Sequence, residues 1–119
     1  MKYVFLFFLS LSLHAADKNA ALYFSGNCIT CHHITKTISA PSITEVKKRY
    51  LSAFSKKEDF VHYMSVWVYK PNEETSLMHD AIAKHELMPE LAYDIDTLKI
   101  IAEYIYETDF KTFKTHLQP

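Results

Sequence analysis

The chain's only two cysteines stand three positions apart with a histidine directly behind the second, as Cys28-Ile29-Thr30-Cys31-His32. No other feature limits the fold as tightly, because two thiols at this spacing must share one local task. A dithiol–disulfide couple places such a pair at the start of a helix within a βαβ unit, where the helix end lowers a thiol pKa. Here the preceding residues from Lys18 carry Ala20, Phe24 and Cys28 on one helical face, so the pair closes a helix instead of opening one. A structural zinc site needs four ligands, usually as two separated pairs. The later histidines, His62, His79, His85 and His116, offer no second pair at that spacing.

The N-terminus says where the chain is used. Met1-Lys2 is followed by an apolar run from Tyr3 to Leu13 and then His14-Ala15-Ala16. A positive start, a short greasy core and small residues after it describe a secretory signal peptide, residues 1–15. A membrane-spanning helix needs about twenty apolar residues, so the run is short for an anchor, and no stable membrane insertion is expected after cleavage. The expected location is the periplasm. What remains of the 119 residues is one small domain with a thin core, which a bound apolar group would help to fill. With 13 basic against 14 acidic residues the chain lacks the positive excess that nucleic acid would require.

One glycine and scattered prolines leave little material for sheet turns, and the periodicity is helical throughout. Asp17 is placed to cap the first helix. Ser42-Ile43-Thr44-Glu45 starts a second, with Val46, Tyr50 and Leu51 inward. A third begins after Ser55 with Phe60, Met64, Trp67 and Val68 on its apolar stripe and Pro71 beyond its end. Ser76 begins a fourth, with Met78, Ala81 and Ile82, ending before Pro89. Asp96 caps the last, where Leu98, Ile101, Ala102 and Ile105 follow i, i+3, i+4, i+7. The fold expected is all-α, four to five short helices in a domain over residues 16–107, followed by a polar tail over 108–119.

Covalent haem satisfies the whole cysteine motif. The two sulfurs bond the porphyrin's vinyl groups as thioethers, and His32 falls beneath the iron as its ligand. His33 is one position late for that role and is expected as a solvated neighbour. The opposite face of the iron decides between electron transfer and ligand chemistry. Met64 and Met78 sit at helical spacing and read as core. Met88 follows a helix end and precedes Pro89, which takes it out of helical geometry. It is the assigned sixth ligand, with His85 and Met78 as alternatives.

In CITCH (Cys28–His32), Ala40-Pro41, Met88-Pro89 and IAEYI (Ile101–Ile105), the sequence resembles the class I c-type cytochromes, especially the short single-haem forms of bacterial periplasm. The resemblance implies a cytochrome c-like fold around one haem c. Cys28 and Cys31 would hold it, and His32 and Met88 would ligate the iron. The Pro41 carbonyl would accept the other ring N–H of His32, which fixes the tautomer. Phe24 and Tyr104 resemble the aromatic pair where the family's terminal helices cross. Ala20, His33 and Ala40 stand where many members have glycine, and the stretch between Trp67 and Met88 does not follow the family pattern. The function implied is a monomeric periplasmic electron carrier, not itself an enzyme, with redox proteins as partners. The alternatives are a haem-bearing subunit of a larger periplasmic redox enzyme and a five-coordinate gas-binding protein. Lys36, Lys47, Lys48, Arg49, Lys56 and Lys57 are candidates to steer acidic partners toward the haem edge, or form an ordinary solvated face.

Overall fold

Ser42 and Asp94 set the starting points of two helices by the same device. Each holds an extended backbone while its side chain accepts an N–H of the first turn, from Glu45 at 3.2 Å and from Thr97 at 2.9 Å. The computed structural model describes residues 19–112, and within them the chain forms five helices and no strand. These are α1 (Ala20–Asn27), α2 (Ile43–Ala53), α3 (Lys57–Tyr69), α4 (His79–His85) and α5 (Ile95–Glu107). The signal-peptide reading and the Asp17 cap fall outside the described residues.

The last helix therefore begins on Asp94, not on the expected Asp96, which lies inside the first turn and favours the helix dipole there. Both aspartates precede the apolar stripe, and the choice between them is made by Thr97, whose N–H and hydroxyl both bond Asp94. The fourth helix also begins later than the expected Ser76. The Ser76 hydroxyl accepts from the Met78 N–H in a tight turn, which delays helical geometry to His79. Among the described residues no helix is long and apolar enough to cross a membrane.

The core is built where α3 crosses α5 and α1 crosses α5. Phe24 and Phe60 are fully buried, together with Met64, Leu98, Ile101, Ala102 and Ile105. Phe24 meets Tyr104 with ring centroids 5.2 Å apart, so the terminal helices cross on an aromatic contact. Leu51, expected inward, is 43 % exposed, because Tyr50 next to it takes the buried position against Phe60. The described residues beyond Glu107, 108–112, are more than a polar tail. Phe110 is buried against Phe24 at 5.6 Å, and Lys47 donates to the Thr108 carbonyl while its ammonium lies 5.7 Å over the Phe110 ring.

α4 is the exception to this packing. It has no buried residue and joins none of the helix–helix contacts. What ties it down is a two-pronged ion pair from α2, Arg49 to Asp80 at 3.2 and 2.7 Å. Its apolar residues turn elsewhere, and that destination is the site.

Candidate functional site

Between α4 and the main helices lies a cavity of about 280 Å³. The residues singled out from the sequence, Cys28, Cys31, His32, Pro41 and Met88, all line it. Ala81, Ile82 and His85 of α4 face it too, as do Met64, Trp67, Leu98 and Ile101 from α3 and α5. The apolar side chains of α4 thus face this cavity and no other helix.

The cysteine end is shaped by hydrogen bonds of the backbone. α1 stops at Asn27, earlier than its apolar spacing suggests, but the turn continues in the same sense, with Cys28 still in right-handed geometry. The His32 N–H reaches the Cys28 carbonyl at 2.9 Å, so these two residues stand one helical turn apart. Cys28 is half-buried and Cys31 exposed, and both thiols are free. Burial pushes the Cys28 thiol up to about 11.

After His32 the chain loops back and is pinned to the start of α2, where the Ile43 and Thr44 N–H groups bond the His33 and Ile34 carbonyls at 3.0 and 3.1 Å. This closure brings the Pro41 carbonyl 2.7 Å from His32 Nδ1. A carbonyl only accepts, so Nδ1 carries the proton and Nε2 keeps its lone pair. Burial favours the neutral ring, the Pro41 bond opposes that, and the charge of His85 works with burial, for a net lowering of the His32 pKa. His33 is not simply solvated. Its Nδ1 accepts from the Thr35 and Lys36 N–H groups at 3.1 Å each, which ties down the start of the loop.

The far end is a non-helical segment between α4 and α5. Met88 lies on it, half-buried. Two of its residues hold left-handed backbones without being glycine, Glu86 at φ 72° and Ala92 at φ 56°. The Glu86 ψ of 172° puts it in a region almost reserved for glycine. Tyr93 donates to Asn27 Oδ1, and Asn27 donates to the Tyr23 carbonyl at 2.8 Å, so this segment is moored to the end of α1 beside the cysteines. Trp67 Nε1 donates to the Asn72 carbonyl at 3.0 Å, which anchors another part of the wall. Neither Asn27 nor Trp67 was picked out as a site residue. Their partners lie on other segments, and only a helical stripe at Trp67 signalled anything locally.

The basic residues are elsewhere. None of Lys36, Lys47, Lys48, Arg49, Lys56 and Lys57 lines the cavity. Lys47 and Arg49 are engaged as described, and Lys57 pairs with Glu103 and Glu107. Among the described residues no group of three or more His, Cys, Asp or Glu gathers as a protein-only metal site would need. Nothing among family models, curated proteins or solved structures matches the chain.

Proposed function

We propose that this protein is an exported electron carrier with one covalently attached haem, built on a cytochrome c-like arrangement of its helices. Cys28 and Cys31 would form the two thioether bonds, and His32 and Met88 would be the axial ligands. The observation that carries the reading is the His32–Pro41 pair. An imidazole directly behind Cys-x-x-Cys is held by its Nδ1 proton, and its Nε2 lone pair belongs to a ring lining an apolar cavity that Met88 also lines. Cavity, thiols and donors are what such a group requires, and α4 with its unpartnered apolar residues supplies the lid.

Bound there, the haem would supply a one-electron ferric/ferrous couple. The chain's own residues do the rest. The Pro41 carbonyl draws on the Nδ1 proton and makes His32 a stronger donor. The Met88 thioether would favour the ferrous state and raise the potential, and the apolar lining from Met64, Ile82, Leu98 and Ile101 would disfavour the added charge of the ferric state. The Tyr93–Asn27 bond would tether the segment that carries Met88 to the end of α1 beside the cysteines. Donors and acceptors would be redox proteins that dock briefly over a small surface.

The test is production in a periplasm with a working cytochrome assembly apparatus. Covalent attachment predicts a mass gain of one haem that survives denaturation and a reduced-minus-oxidised spectrum of c type. Cys28→Ala or Cys31→Ala each removes one thioether. A colourless product with both thiols free to alkylate overturns the reading.

A further inference from the structure

Resting on the haem reading above, we propose that His85 is a second distal donor, competing with Met88 for the iron position not taken by His32.

His85 closes α4, and its ring lines the same cavity as His32 and Met88. It is the only other histidine that does so among the described residues. No hydrogen bond holds the ring among the described residues, in contrast to His32 and His33, each committed at Nδ1. The two cavity imidazoles are also close enough for charge on His85 to disfavour charge on His32. The other sulfur donors are less available. Met64 and Met78 line the cavity as well, but Met64 is packed into the hydrophobic core and Met78 is buried at the entry to α4. His85 and Met88 share one short segment, and Glu86 between them holds a backbone that side-chain-bearing residues rarely adopt. A change of φ there is the natural hinge by which one donor withdraws as the other advances.

The chemistry gives each donor its own preference. A thioether is soft and suits ferrous iron, whereas a neutral imidazole is the better donor to the ferric ion. In the exchange an Fe–S bond would break as an Fe–N bond forms from the lone pair of a neutral His85 ring, with no electron transferred. The charge of the iron then biases which residue is bound.

Spectra of Met88→Ala decide the matter. The Met-to-iron charge-transfer band in the deep red should vanish while the haem remains low-spin, and Met88→Ala/His85→Ala should become high-spin. If His85 occupies the iron in about nine-tenths of the Met88→Ala molecules, carbon monoxide should bind the reduced single variant about tenfold more weakly than the double variant. A high-spin single variant that binds carbon monoxide as tightly as the double overturns the proposal. So does a double variant that stays low-spin, since another residue would then be the donor. His85→Ala alone, with Met88 in place, gives an independent check in material that keeps both thioethers. If each donor holds the ferric iron in about half of the parent molecules, the Met-to-iron charge-transfer band of the ferric variant should be about twofold stronger than the parent's, and an unchanged band counts against His85. A colourless parent protein would instead remove the haem reading itself.

Discussion

Phe24→Ala is the most informative change to the fold, because Phe24 joins the core to the cysteine motif. The ring is fully buried and touches Tyr104 and Phe110 at 5.2 and 5.6 Å between centroids. Truncation removes the burial of a large side chain and leaves a cavity, together costing about 3–5 kcal/mol. Against a total stability of about 5–15 kcal/mol for a domain, that is between about a fifth and all of what holds the chain together. At roughly 4–8 °C per kcal/mol for a domain of this size, the melting temperature should fall by about 12–40 °C. Urea unfolding followed by circular dichroism measures the loss directly. Leu22→Ala on the same helix is the control, since Leu22 is 69 % exposed and its removal should stay within about 0.5 kcal/mol. Because α1 runs straight into Cys28, Phe24→Ala should also lower the yield of the haem attachment we propose. A cost below about 1 kcal/mol for Phe24→Ala would refute the idea that the α1–α5 crossing is the keystone of this core.

Glu86→Gly should stabilise the fold by about 1 kcal/mol, since glycine adopts that backbone without strain but loses more freedom on folding; a destabilised variant in urea unfolding would show that the Glu86 backbone is not strained. In the protein without haem, His32 binds a proton less readily when folded than its ordinary value of 6.5, first because of burial. The unfolded chain then takes up more protons, so this contribution is present above pH 6.5 and is lost as the pH falls through the lower folded value; His32→Gln should flatten that limb of the stability–pH curve. With its pKa raised from 9.0 to about 11, Cys28 should alkylate about a hundredfold more slowly at mildly alkaline pH in the folded haem-free chain than in urea, and equal rates by mass spectrometry would show the thiol is not buried.

Much of the helical order was legible because capping and periodicity are local. Ser42 three residues before Glu45, and the stripe Leu98, Ile101, Ala102 and Ile105, need no knowledge of the rest of the chain. The errors fall where two local signals competed. Asp94 and Asp96 are equally good caps until the position of Thr97 is known, and Ser76 can start a helix or a turn. Phe110 looked like part of a polar tail because its partner Phe24 lies far away in sequence.

The site divides along the same line. Cys28, Cys31 and His32 could be grouped from sequence alone, since one helical turn defines their spacing. That Met88 beside Pro89 lies outside the helices was readable for the same local reason. That His32 Nδ1 meets the Pro41 carbonyl, that α4 spends its apolar residues on a cavity, and that His85 shares this cavity with Met88 are outcomes of tertiary closure. They depend on the pinning of the loop to α2, the Arg49–Asp80 pair and the Tyr93–Asn27 bond. Spacing along a chain encodes what neighbours within a turn can do, whereas the meeting of distant donors depends on how packed helices and moored loops meet in space.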